Sequence, residues 1–224
     1  MLTRLEVPRH LHRNSPRVIA AGYEHSGETL INLVTRLAGI VDLRDIDVLD
    51  VGCGVRHVMT IINRGLQIKS YTGVELSKAI VDFLKENVEA HDRRFRFFHW
   101  NVRNEMYNPK GGSLLSKDPL AASDRFDLIW LFSVFTHLDP SDSETMLRLL
   151  RRHVRENGRL FFSAFIDEEL DGFEDRVKEL PLQKAYYGQG LMESLIAKCG
   201  WKIDYFGKRD PDHFIQHHYL CSPA

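Results

Sequence analysis

The sequence predicts an α/β fold, with a doubly wound, mostly parallel sheet of seven strands, helices on both faces and an antiparallel last strand. Three observations carry this prediction. Short apolar runs alternate with segments of helical period along most of the 224 residues, which argues for repeated strand–helix–strand units. A glycine turn, "DVGCG" at 50–54, follows the first apolar run directly and leads into helical spacing. The last two strand-like runs, "WKIDYFG" and "HFIQHHYLCS", are separated only by a short polar stretch, as in an antiparallel pair.

The elements follow in order. Residues 1–22 carry two His, four Arg and two Pro without clear periodicity and are expected to form a flexible arm or a lid. Leu30, Leu33, Val34 and Leu37 give a leading helix over about 24–37. Asp47–Val51 is the first strand, and Val58, Ile61 and Ile62 mark a short helix that stops near Gly65. "SYTGVE" is the second strand. Ser77 is placed to cap the next helix, with Ile80, Leu84 and Val88 facing inward. "FRFFHW" at 95–100 is the third strand, and 101–125, dense in Asn, Gly, Pro and Ser, is a loop. "FDLIWLFSVF", 126–135, is the fourth strand. Asp139-Pro140 opens a helix expected to end at Asn157-Gly158, and "RLFFSAFI" is the fifth strand. An insertion at 167–188 is the expected substrate-side cap of a single domain spanning 23–224. It leads to a helix through Leu191, Leu195 and Cys199.

Composition narrows the class. With 43% hydrophobic and 27% charged residues and a net charge of −1, the chain reads as an ordinary globular protein. The charge argues against nucleic acid or an anionic membrane as a general partner. Cys53, Cys199 and Cys221 show neither disulfide nor metal-ligand spacing. With no apolar h-region at the start and no long apolar run, this points to a cytoplasmic protein.

The chemistry centres on the glycine turn. Glycines let bare backbone approach a ligand. The dinucleotide pattern G-x-G-x-x-G fails here because His57 holds the third position and Asp50 would repel a pyrophosphate. A carboxylate at that place suits ammonium or sulfonium charge instead. Glu75 ends the second strand, where a carboxylate can accept both hydroxyls of a ribose. At the end of the third strand, Asn101, beside a backbone N–H, is suited to reading an adenine edge.

In their order, "VLDVGCG", "YTGVELS", "FHWNV", "FDLIWLFSVFTHL" and "VRENGRLFFSAF" resemble the class I S-adenosylmethionine-dependent methyltransferases over about 24–222. The resemblance implies a Rossmann-like fold and S-adenosylmethionine as cofactor, with S-adenosylhomocysteine as product. It assigns Asp50, Gly52 and Gly54 to the methionine part, Glu75 to the ribose, and Asn101 with Val102 to the adenine. Cys53, Leu76, Phe132 and Ser133 are further expected cofactor contacts. There are two departures. Arg56 and His57 stand where many members have a third small residue, and Asn101 stands where Asp is common.

In this fold the carboxyl end of the fourth strand faces the methyl group. There "FSVFTHLDP" offers His137 as a general base, with Asp139 as an orienting partner or, more simply, a helix cap. No Asp/Asn-Pro-Pro-Tyr/Phe follows that strand, which disfavours exocyclic amines of nucleic acid, and no Pro-Cys supports a cysteine nucleophile. Tyr186 and Tyr187, with Phe173 and the acids from Asp167 to Asp175, suit a polyhydroxylated acceptor. His217, in a run with His213, Gln216 and His218, is a further substrate candidate. His217 and His218 point to opposite strand faces, and no spacing supports a divalent metal.

"FSVFTHL" and "NEMYNPKG" resemble a methyltransferase branch of bacterial saccharide biosynthesis. The expected reaction is therefore O-methylation of a hydroxyl on a sugar or another small polar metabolite. The rivals are a protein or RNA methyltransferase, a non-catalytic S-adenosylmethionine-binding module and a nicotinamide-dependent dehydrogenase. The first of these draws on the basic arm and on Arg148, Arg151, Arg152 and Arg155. A homodimer through the arm and leading helix is compatible with the sequence.

Overall fold

The computed structural model describes residues 2–12, 18, 20, 22–104, 107–112, 118–209 and 215–224. The chain is a mixed α/β protein of mostly parallel strands with helices between them. It divides into two compact units, residues 1–99 and 100–224.

The first unit contains α1 (Tyr23–Leu37), β1 (Leu43–Val51), α2 (Arg56–Asn63), β2 (Ile68–Glu75), α3 (Lys78–Leu84) and β3 (Phe95–His99). Its strands are parallel in the order β3-β2-β1. The buried stripe of α1 is Gly27, Ile31, Leu33 and Val34, rotated from the expected one, with Leu30 and Leu37 only half-buried. Gly27 causes the rotation: it packs against the Thr60 side chain of α2, and a Cβ there would collide with it. α2 is buried from His57 through Ile62. α3 widens into a π-helical turn over Lys85–Glu89, and its inward face is Ile80, Leu84 and Val88 as expected. Part of the arm is docked in this unit. Leu5 is buried, its N–H donates to Asn63 Oδ1 at 2.7 Å, and its carbonyl accepts from Asn63 Nδ2 at 3.2 Å.

The second unit contains β4 (Phe126–Leu131), α4 (Pro140–His153), β5 (Val154–Asp167), β6 (Phe173–Asp175), β7 (Ala185–Gly188), α5 (Gln189–Lys198), β8 (Trp201–Gly207) and β9 (His217–Pro223). β5 is its spine. One edge pairs in parallel with β4. On other residue pairs it meets β9 antiparallel over Leu160–Ala164 and β7 parallel over Phe165–Asp167. β9 also pairs antiparallel with β8, so the last strand is the antiparallel one, as the sequence predicts.

Three elements differ from expectation. β4 ends at Leu131, because Ser133 takes φ 59° and turns the chain. α4 ends at His153, four residues early. Asn157-Gly158 marks an irregularity in β5, where the pairing jumps from Phe126↔Val154 to Leu128↔Arg159. A Cβ at Gly158 would lie 2.7 Å from Val154 Cγ2. The insertion also supplies two strands, β6 and β7, bringing the described strands to nine rather than seven.

Candidate active site

In the first unit, Asp50 is 1% exposed and receives two donors on one oxygen. Tyr71 Oη donates to Oδ2 at 2.6 Å, and His57 Nδ1 lies 2.8 Å from the same atom. Burial, followed by the nearby Asp50 carboxylate, pushes the Tyr71 phenol well above its ordinary pKa, so it stays protonated and donates. Burial lowers the His57 pKa, against the opposing pull of Asp50. The neutral ring therefore carries its proton on Nδ1, facing the carboxylate. These bonds fix the plane of Asp50, and neither touches Oδ1.

Glu75 is buried at the end of β2. Its Oε2 accepts the Gly54 N–H at 3.0 Å and its Oε1 the Ser77 N–H at 2.9 Å. Ser77 occupies the cap position of α3 but makes no side-chain cap bond; Glu75 satisfies its backbone instead. The glycine turn is held at its base by the Gly52 and Cys53 N–H groups on the Val74 carbonyl. Gly54 has φ 50°, and the space where a Cβ would stand is open. Cys53 turns its thiol inward: a Cβ at Gly73 would lie 2.9 Å from Cys53 Sγ and 2.7 Å from Phe97 Cδ1. The Leu76 carbonyl lies 3.0 Å from His99 Nε2. Arg56 directs its guanidinium to Ser26 Oγ of α1, 3.2 Å away, and burial lowers its pKa.

In the second unit, Asn101 Oδ1 accepts from Asn108 Nδ2 at 2.9 Å. The Val102 N–H turns back onto the Trp100 carbonyl at 2.8 Å, which removes the backbone donor expected beside Asn101. Phe132 packs against Trp130 and Phe161. Ser133 joins a polar ring: its N–H donates to Ser163 Oγ at 2.9 Å, Ser163 Oγ donates to Gln216 Oε1 at 2.6 Å, and Gln216 Nε2 donates to Ser133 Oγ at 2.8 Å.

His137 ends a 3-10 turn, Phe135–His137. Its Nδ1 lies 3.0 Å from the Leu182 carbonyl, and the Tyr107 ring meets it edge-on at 5.5 Å. Burial lowers its pKa despite that bond. A carbonyl only accepts, so the neutral ring carries its proton on Nδ1 and its lone pair on Nε2. Asp139 does not orient this ring; it caps α4 by accepting the Asp142 N–H at 2.8 Å.

The proposed substrate aromatics are otherwise engaged. Tyr186 stacks on Phe165 at 4.9 Å and carries the Arg176 guanidinium 3.9 Å from its ring centre. Tyr187 is 0% exposed, donates to the Leu138 carbonyl at 2.6 Å and lies 2.7 Å from Ser143 Oγ. His217 is buried and stacks on Phe206. None of the three offers a free face to a substrate, because the pairing of β5 with β7 and of β8 with β9 buries or covers them. Several insertion acids are likewise occupied: Asp167 and Glu174 pair with Arg176, and Glu168 with Lys208. His213 lies outside the described residues. Among those residues, no group of three or more His, Cys, Asp or Glu could hold a metal ion. None of their helices is long and apolar enough to cross a membrane.

Sequence reasoning missed Tyr71, Ser163 and Leu182. Tyr71 was accessible in principle, since alternation along β2 puts it on the face of Gly73 and Glu75, and Gly73 is the register partner of Asp50. Leu182 carried no signal; its part is played by backbone.

A methyltransferase-domain family matches residues 23–187. The chain belongs to this methyltransferase family. Solved structures of similar fold include the glycopeptide N-methyltransferase MtfA complexed with sinefungin, at 12% identity and TM-score 0.63, covering 88% of this chain and 94% of that one. Magnesium protoporphyrin IX methyltransferase (ChlM) from Synechocystis PCC 6803 with bound SAM is 15% identical, with TM-score 0.61 and coverage of 96% and 89%. An S-adenosylmethionine-dependent methyltransferase from Clostridium acetobutylicum ATCC 824 is 14% identical, with TM-score 0.60 and coverage of 93% and 95%.

Proposed function

We propose that this methyltransferase uses S-adenosylmethionine to methylate a hydroxyl of a sugar or another small polar metabolite, with His137 as general base. The observation that carries this reading is the His137 ring, neutral, tied through Nδ1 and left with its lone pair on Nε2. A neutral alcohol is a poor nucleophile and needs such an acceptor for its proton.

The first unit fits the cofactor. The buried Asp50 and Glu75 are held by donors from their own chain, and the glycine turn keeps open space beyond Gly54. Asp50 and the turn would hold the methionine end, and Glu75 the ribose hydroxyls. When bound, S-adenosylmethionine supplies a methyl group on a sulfonium, which passes to oxygen while the sulfur–carbon electron pair stays on sulfur. His137 takes the hydroxyl proton on Nε2 and returns it to solvent.

Because Tyr186 and Tyr187 are engaged, aromatic stacking does not favour a sugar over other polar acceptors. The RNA reading loses support, because Arg148, Arg152 and Arg155 pair with Glu144, Asp118 and Asp127. Arg151 donates to the Gly200 carbonyl.

The test is labelled-methyl transfer from S-adenosylmethionine to saccharides, small phenols, amines and bulk RNA, with the native chain and His137→Ala. Label in a hydroxyl acceptor, lost in the variant, supports the reading. Label in RNA or an amine overturns the acceptor assignment. Tight S-adenosylhomocysteine binding with no transfer to any acceptor counts for a binding module.

A further inference from the structure

Two non-glycine residues among those described have positive φ: Ser133 and Leu182, both at 59°. For a leucine this region is sterically unfavourable, and it persists only where the surroundings hold it. Both backbone groups of Leu182 are held. Its N–H donates to Asp175 Oδ2 at 2.7 Å, and its carbonyl takes the Nδ1–H of His137 at 3.0 Å.

Asp175 is itself anchored. It ends β6, where it pairs with Ala185 of β7, and β7 pairs in turn with β5. The strained residue is therefore bolted at one side to the sheet and at the other to the imidazole. Among the described residues no side-chain carboxylate is hydrogen-bonded to the ring, so backbone supplies the orientation that Asp139 was expected to give.

We infer that the turn from Asp175 to Leu182 positions His137, selecting the Nδ1–H tautomer and keeping Nε2 available as proton acceptor. This rests on the reading of His137 as base. Asp175 and Leu182 are positioning residues that act through the ring. In the step they serve, the acceptor O–H bond breaks, its proton goes to Nε2, and the oxygen electron pair forms the bond to the methyl carbon.

The experiment uses the full chain with four variants, measuring kcat, KM for S-adenosylmethionine, melting temperature and the 15N NMR signature of the imidazole tautomer. Native chain is expected to show the Nδ1–H form. Asp175→Ala should give mixed tautomers and a kcat lower by about tenfold or more, with KM for S-adenosylmethionine within about twofold. Leu182→Gly keeps the carbonyl and accepts positive φ without strain, so tautomer and kcat should stay near native. Leu182→Ala keeps both the carbonyl and the positive φ of the native chain, so its tautomer should also be Nδ1–H, and a shift to Nε2–H there would overturn the backbone's role.

A native Nε2–H tautomer overturns the inference, and so does Asp175→Ala at native kcat and tautomer. His137→Gln separates the two claims. If it is inactive while Asp175→Ala is native-like, the inference alone fails. If His137→Gln keeps full activity, the base reading fails and takes the inference with it.

Discussion

Tyr71→Phe removes one oxygen from the centre of the first unit. The hydroxyl is fully buried and donates at 2.6 Å to a carboxylate that is itself 1% exposed. Hydrogen bonds to charged groups contribute about 1.5–3 kcal/mol, and the substitution leaves that oxygen with the His57 ring alone of its two donors. The ring stays in place against Phe95 and Phe97, so packing changes little. The expected loss is therefore about 1.5–3 kcal/mol, and for a chain of this size the melting temperature should fall by about 3–12 °C. Urea unfolding followed by circular dichroism should show a lower midpoint at unchanged slope. In an Asp50→Asn background the same substitution should cost clearly less, which measures the coupling of the pair. A Tyr71→Phe stability within about 0.5 kcal/mol of native, or equal losses in both backgrounds, would refute the claim that this bond holds Asp50.

Three further outcomes follow from the same geometry. Glu75→Gln replaces one acceptor oxygen by a donor facing a backbone N–H, so S-adenosylhomocysteine affinity by calorimetry should fall about 10- to 100-fold; native affinity would contradict it. Gly73→Ala puts a Cβ against Phe97 and Cys53 and should cost about 1–3 kcal/mol of stability, read by thermal denaturation. Burial lowers the pKa of His57, His137, His217 and His218. The unfolded chain, with histidines near 6.5, then binds more protons than the folded one below that pH. Stability should hold above about pH 6.5 and fall as pH drops below it, by at most about 1.4 kcal/mol per pH unit for each histidine. A melting temperature flat between pH 7.5 and 5 would contradict this.

The parts legible in the sequence were those written in local pattern. The strand ends at Val51 and Glu75 follow apolar runs into glycine or acid, and Asp139-Pro140 signals its cap directly. Non-local contacts were not legible. Asn157-Gly158 reads as a helix stop, yet Val154 pairs with Phe126 and the dipeptide becomes a bulge. Leu30 looks like the core of α1 until Gly27 meets Thr60 and turns the helix. Tyr186 and Tyr187 read as stacking platforms because the short strands that bury them lie in a segment without strand periodicity. His137 stood out by residue type, but its partner is a carbonyl, and no side-chain alphabet encodes that.

Under the proposed function this chain passes a methyl group to an oxygen, with His137 taking the proton. The most direct measurement uses S-adenosylmethionine carrying a 13C-methyl group, followed by NMR of the methylated product to read the atom that received the label. The expected result is an O-methyl signal whose rate of appearance collapses in His137→Ala while S-adenosylhomocysteine binding is unchanged. An N-methyl signal, or an O-methyl signal at native rate in the variant, would contradict it.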